Sequence, residues 1–207
     1  MRWIIFDFDE VISATGDGFT TFLERINERI PVDVAKGAAW MREQWKHFAT
    51  HAWDEHELLS RMNRFLGVEI PFALFDEAFH HTIFPSEEVI RVIALLKKRG
   101  YKVALLTDNA RIRLEKIAAH PALKGLFDHV TGSSLLGSLK TDRATFLRVC
   151  AQLRIRPEEA LLVDDNAAHC ENARSVGMDA LQFQIGARNA ERLIESLASH
   201  GIQVHQS

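Results

Sequence analysis

With 207 residues, of which 47% are apolar and 26% charged, the chain has the make-up of one globular domain or of a core domain with a modest insertion, which excludes the disordered and fibrous classes. A net charge of −3 with 25 dispersed basic residues argues against a nucleic-acid footprint, and no stretch approaches the roughly 20 apolar residues of a membrane span. Two cysteines without zinc-type spacing, Cys150 and Cys170, and a first apolar run too short for a signal peptide or anchor, point to a reduced, cytoplasmic protein.

In chain order, the first predicted element is a strand, Trp3-Ile4-Ile5-Phe6, an apolar run without alternation that suits burial on both faces of a parallel sheet. Residues 16–84 then read as consecutive helices. Phe19, Phe22, Leu23, Ile26 and Ile30 share one face, and so do Val34, Ala38, Met41, Trp45 and Phe48. Leu58, Leu59, Met62, Phe65 and Leu66 form a third stripe, opened by a capping box at Asp54 and Glu57, while Pro31 and Pro71 sit where helices begin. Three of the four tryptophans lie in this insertion.

Regular alternation resumes at Ser86. It caps a helix with Glu87 and Glu88 in the first turn, Val89, Ile93 and Leu96 on one face, three basic residues in the last turn and Gly100 as the stop. Val103-Ala104-Leu105-Leu106 is a second strand. A helix starts near Thr141 or Asp142 and repeats Phe146, Leu147, Cys150 and Leu153. Ala160-Leu161-Leu162-Val163 is a third strand, followed by a helix from Asn166 to Gly177 whose Ala167, Ala168 and Ala173 suit close approach to a sheet. A strand over 179–183 and a helix over 187–198 complete the pattern. Strand–helix alternation of this kind predicts an α/β fold, a Rossmann-like doubly wound parallel sheet with right-handed crossovers and an inserted all-helical unit.

In such a sheet, ligands bind beyond the carboxyl ends of the strands. Asp7, Thr107 and the pair Asp164-Asp165 each follow an apolar run directly, so the fold brings them to one rim, and Asp9 lies two residues beyond Asp7. Carboxylates gathered this way repel one another unless a positive charge sits among them. An oxygen-rich set without His or Cys favours a hard cation, Mg²⁺ being the usual one, together with a substrate phosphate, and Lys140 offers a further positive charge. Each residue alone has a plainer explanation, as a cap, a turn or a solvated charge; the set is what points to phosphate chemistry. The ten histidines include no HExxH, and neither His51 with His56 nor His80 with His81 has the spacing of one helix face.

The stretch Ile4-Ile5-Phe6-Asp7-Phe8-Asp9 resembles the first motif of the haloacid dehalogenase (HAD) superfamily, a strand followed by Asp-x-Asp. Leu105-Leu106-Thr107-Asp108-Asn109 is similar to its second motif and Lys140 to its third. Leu162-Val163-Asp164-Asp165-Asn166, through Gly177-Met178, is similar to its fourth, in the form with an acidic pair. The resemblance covers residues 2–13 and 84–185. It implies a core over 1–15 and 85–207 and a helical cap of the C1 type over 16–84. It also implies Asp7 as nucleophile and Asp9 as general acid and base. Mg²⁺ is then held by Asp7, the Asp9 backbone carbonyl and a carboxylate of the acidic pair, Asp165 ahead of Asp164, which pairs with Lys140. Thr107, Asp108, Asn109 and Lys140 are left to hold the phosphoryl oxygens.

A proton donor at Asp9 separates phosphatases and mutases from the family's dehalogenases, whose halide leaves unprotonated. The implied activity is hydrolysis of a small phosphomonoester, sugar phosphate-like, by a monomer or homodimer; the alternatives are a phosphomutase or a catalytically idle binding protein. Candidate substrate contacts in the cap are Trp40, Arg42, Trp45, Lys46, His47, His51 and Trp53. Two positions depart from the family pattern. Glu10 stands where Gly is usual, which implies a different turn or a side chain reaching toward the cap, and Thr141 stands where Pro is usual, as a helix cap.

Overall fold

The computed structural model describes residues 2–14 and 16–204, so the expected boundary at residue 15 lies outside the described residues. Five segments pair as parallel strands: β1 (Trp3–Phe6), β2 (Lys102–Thr107), β3 (His129–Gly132), β4 (Ala160–Asp164) and β5 (Asp179–Gln182). Their order is β3-β2-β1-β4-β5. The chain therefore builds outward from β1 in one direction and then crosses to the other side. That places a topological switch point at the carboxyl end of the central strand, where a crevice opens. In the β1 register, Trp3 lies level with Lys102 and Ala160, so the last residues of β1, β2 and β4 reach the same rim.

Alternating side chains of β1 enter two cores. Ile4 and Phe6 pack with Val89, Ile93 and Leu96 of α5 (Glu87–Lys98), while Ile5 faces Phe146 and Val149 of α8 (Ala144–Leu153) and Cys170 and Ala173 of α9 (Ala167–Ser175). Both faces are covered, which explains why these strands read as unbroken apolar runs. The remaining helices of the sheet layers are α6 (Arg111–Ala119), α7 (Ser133–Leu136) and α10 (Asn189–Ser199). No helix of the described residues is long and apolar enough to cross a membrane.

The insertion is four helices, α1 (Gly18–Asn27), α2 (Val34–Ala49), α3 (Glu55–Leu66) and α4 (Phe72–His80), around a third core of Phe22, Leu23, Met41, Met62, Phe75 and Phe79. That core also takes in Ala110 and Ile112, which follow the rim residues of β2, so the bundle is seated beside the strand ends. α1 and α2 approach closely at Gly37, where a Cβ would meet Leu23 Cδ1 at 2.6 Å. The two connections to the sheet layer run side by side: Ser13 bridges Pro85, the Phe84 N–H donates to Ser13 Oγ (2.9 Å), and the Ser86 N–H donates to the Ile12 carbonyl (2.8 Å).

Four local expectations need correction. Asp54 caps the Glu57 N–H (2.8 Å), but the Glu57 carboxylate accepts from Arg61 instead of completing a capping box. The helix expected from Thr141 starts at Ala144, because Lys140 is held in a turn by its amide and Asp142 Oδ1 accepts from the Ala144 N–H; Thr141 is not the cap. Of its expected face, Leu147 is half exposed. In α9, Ala173 packs on the sheet, whereas Ala167 and Ala168 are exposed in the first turn.

Candidate active site

Asp7 continues the β1 ladder by one bond, its N–H donating to the Val163 carbonyl (2.9 Å), and its side chain then enters the crevice. The Phe8 N–H holds Asp7 Oδ1 (2.7 Å), and Lys140 Nζ lies 2.8 Å from Oδ2. Lys140 is only 1% exposed, and its ammonium also donates to Asp164 Oδ2 (2.6 Å). Its backbone is pinned in turn: its N–H donates to both Asp108 carboxylate oxygens (3.1 Å), and its carbonyl accepts from Asn172 Nδ2 (3.1 Å). Asp164, at the end of β4, is fully buried; its Oδ1 accepts from the Asn166 N–H (2.9 Å) and lies 3.0 Å from His169 Nδ1. Carboxylate oxygens of Asp7, Asp164 and Asp165 fall within 4.8 Å of one another, the one group among the described residues with three such ligands close enough for a metal ion.

Electrostatics in this cluster are uneven. Burial lifts the Asp7 pKa well above the usual carboxylate range, Lys140 offsetting it only in part and the Asp164 charge adding to it. Burial and the Asp164 charge likewise raise Asp165. Burial also works against the Asp164 charge, yet Lys140 and the His169 hydrogen bond outweigh it and bring that carboxyl down to about 2. Burial opposes the Lys140 ammonium too, and the attraction of Asp7, Asp164 and Asp108 overrules it, so the side chain stays protonated. One ammonium thus serves three close carboxylates, and two of them are left short of positive charge. An all-oxygen donor set with surplus negative charge fits a hard divalent cation.

The second strand end supplies Thr107, 1% exposed, whose Oγ1 accepts from Asn109 Nδ2 (2.7 Å). The same Asn109 Nδ2 reaches Asp9 Oδ2 (2.9 Å). Asp9 itself turns away from the three-carboxylate group: Arg113 donates to both of its oxygens at 2.7 Å. Asp108 is committed to the Lys140 amide, with its pKa raised by burial despite Lys140. Glu10 keeps the left-handed turn that Gly usually serves, at φ 57°, and its Oε1 accepts from the Gly16 N–H (2.8 Å) at the start of the insertion. A non-Gly residue there costs on the order of 1 kcal/mol, and the Gly16 hydrogen bond offsets part of it.

A cavity of about 250 Å³ opens between the rim and the insertion, bounded by Asp9, Asn109 and Arg113 below and by Phe19, Arg42 and Trp45 above. Of the candidate contacts, Arg42 and Trp45 border it. Trp40 instead stacks on Phe65, and His47 stacks on Trp53, which also lies under the Arg61 guanidinium. Lys46 and His51 are not among its lining residues. Sequence reasoning missed Arg113, Thr82 and His169, which reach the site from α6, from the residues after α4 and from α9.

A family model described as haloacid dehalogenase-like hydrolase matches residues 1–177. A phosphoglycolate phosphatase of Synechococcus elongatus is 26% identical over 94% of this chain and 89% of its own. A glyceraldehyde 3-phosphate phosphatase of Pyrococcus furiosus is 28% identical, over 53% of this chain and 48% of its own, so the chain matches about half of that relative's length. Among solved structures, a HAD family enzyme of Bacteroides thetaiotaomicron, in complex with magnesium and inorganic phosphate, superposes with a TM-score of 0.70. It shares 16% identity, over 88% of this chain and 93% of that one.

Proposed function

Because the chain belongs to the haloacid dehalogenase-like hydrolase family, we propose that it is a Mg²⁺-dependent phosphatase acting on a small phosphomonoester through an aspartyl-phosphate. The observation that carries this reading is the cluster of Asp7, Asp164 and Asp165 around the buried Lys140 at the carboxyl end of the central strand. It joins a nucleophile-sized carboxylate, a fixed cation and a surplus of oxygen donors in one crevice. The phosphoglycolate and glyceraldehyde 3-phosphate phosphatases among the relatives support a small substrate.

In this reading residues 1–15 and 85–207 form the core, and 16–84 form a cap that closes the 250 Å³ cavity over the leaving group. Mg²⁺ would be held by the carboxylates of Asp7 and Asp165 and the Asp9 backbone carbonyl, where it supplies neutralising charge to the phosphoryl oxygens. Asp164 stays with Lys140 and fixes its ammonium. An Asp7 oxygen attacks phosphorus, and the leaving oxygen departs with the electron pair of its P–O bond and takes a proton from Asp9. Asp9, now a carboxylate, takes a proton from water as the water oxygen attacks phosphorus. Phosphate leaves and Asp7 is restored. Thr107, Lys140 and the backbone N–H groups of Asp108 and Asn109 orient the phosphoryl oxygens, and such positioning carries most of phosphoryl transfer.

The test is phosphate release from a panel of 2-phosphoglycolate, glyceraldehyde 3-phosphate, a hexose phosphate, a nucleoside monophosphate and p-nitrophenyl phosphate. At least one alkyl ester should be turned over, EDTA should stop release, and added Mg²⁺ should restore it. Silence across the panel, or an isomerised ester in place of free phosphate, contradicts the phosphatase reading. Release that continues unchanged in EDTA contradicts the metal.

A further inference from the structure

The Asp9 side chain is held on both oxygens. Arg113 Nη1 donates to Oδ2 and Nη2 to Oδ1, each at 2.7 Å, in the parallel fork that only a guanidinium makes with a carboxylate. The Arg113 side chain is buried, whereas about a third of the Asp9 side chain is open toward the cavity. The other donors of Arg113 are spoken for as well. Nε donates to Thr82 Oγ1 (2.7 Å), Nη2 to the Thr82 carbonyl (2.8 Å) and Nη1 to Asn109 Oδ1 (2.7 Å), and the guanidinium lies 5.5 Å from the Phe8 ring centroid.

A buried guanidinium is expensive to desolvate, and the sheet has no packing need for one at this position of α6. What it joins is specific: the carboxylate two residues beyond the nucleophile, and the segment after α4 through which the chain leaves the insertion. We infer that Arg113 is the positioning residue for Asp9, and that through Thr82 it ties the acid's placement to the return connection of the insertion. The inference rests on the reading above, in which Asp9 exchanges a proton with the leaving oxygen and with water.

The chemistry of the fork supports this division of labour. An ionised Asp9 satisfies both guanidinium donors, the form that accepts a proton from water. A protonated carboxyl offers one oxygen as acceptor and turns its O–H outward, so it keeps one Arg113 contact while the other is given up. The side chain stays oriented through both half-reactions instead of swinging freely in an open cavity. Lysine, a single point donor, would not hold the carboxyl plane.

The experiment measures kcat/KM with p-nitrophenyl phosphate and with the fastest alkyl ester of the panel, whose leaving oxygen needs a proton where p-nitrophenolate does not. Positioned acid catalysis is worth about 10²–10⁴ in rate. Arg113→Met should therefore cut kcat/KM for the alkyl ester by about 10²-fold and for the aryl ester at least about tenfold less. In an Asp9→Asn background the same substitution should cost less than about threefold more with the alkyl ester, far short of its loss in the parent, since the acid it acts through is gone. Arg113→Lys and Thr82→Val, which disturb less, should show smaller losses with the same alkyl-over-aryl bias, and they carry the test if Arg113→Met does not fold. Equal losses on both esters, no loss, or full additivity with Asp9→Asn overturns the inference while leaving the phosphatase reading intact. An unsubstituted protein inert toward both esters overturns both.

Discussion

Asp7→Asn should abolish turnover, by at least about 10³-fold as expected for loss of a covalent nucleophile, and yet should yield a protein that melts higher than its parent at neutral pH in EDTA. The two outcomes share a cause. The charge that makes Asp7 reactive is buried beside Asp164 with only a part-share in Lys140, and its raised pKa means that the ionised form is disfavoured in the fold. A carboxyl whose folded pKa lies above its unfolded value of about 3.9 costs stability once the pH exceeds that value. The gain from the neutral amide should therefore be present at pH 7 and vanish below about pH 4, where Asp7 is protonated in both folded and unfolded chains. Thermal melts of the two proteins across that range, with phosphate release measured alongside, check both halves. A less stable variant at pH 7, or one that still turns over substrate, contradicts the account.

The second large effect runs the other way at the same site. Lys140→Met leaves Asp7 and Asp164 buried without their ammonium, and breaking a buried ion pair from one side costs about 3–5 kcal/mol. For a chain of this size that is a fall in melting temperature of roughly 10 °C. Activity should go with it, because the phosphoryl oxygens lose a fixed cation. Mg²⁺ should recover part of the lost stability by binding the folded form alone. Lys140→Met that melts with its parent would mean that the ammonium is not what balances the cluster. Nucleophile and cation thus move stability in opposite directions, a pairing that simple damage to the core would not produce.

Much of this was legible in the chain because burial leaves a plain signature. β1, β2 and β4 are flanked by helices on both faces, so they read as unbroken apolar runs, and the polar residue that ends each run is where the crevice lies. Asp7, Thr107, Asp164 and Asp165 were visible for that reason. The helix of Ser86 to Gly100 carried caps and charges that all agreed. β3 was not legible: it has four residues, two of them only partly buried, with a histidine and a threonine among them. α6 was hidden by chemistry. Ile112, Leu114 and Ile117 face inward, but Arg113 does too, and a buried cation between Arg111 and Lys116 breaks the apolar stripe that would have announced a helix.

That same disguise concealed the site's unexpected members. Arg113 reads as one solvated charge among several, and nothing local to Thr82 or His169 marks them as partners of residues 31 and five positions away. At Glu10 the sequence implies a different turn or a side chain reaching toward the insertion; the structure keeps the left-handed turn and sends the carboxylate to the Gly16 amide. Contacts made across the fold by a single long side chain leave no periodicity behind. Three ring-bearing candidates of the insertion fell short for the opposite reason, since Trp40, His47 and Trp53 use their faces against neighbouring rings rather than the cavity that Trp45 borders.

The measurement that reaches the centre of the account is peptide mapping by mass spectrometry after a rapid acid quench of the protein mixed with its best ester and Mg²⁺. The phosphoryl group should be found on the peptide bearing Asp7, should be absent when EDTA replaces Mg²⁺, and should accumulate in Asp9→Asn with p-nitrophenyl phosphate, where the water-attack step has lost its base. A phosphoryl group on any other side chain, or rapid turnover with none on Asp7 at any quench time, would contradict it.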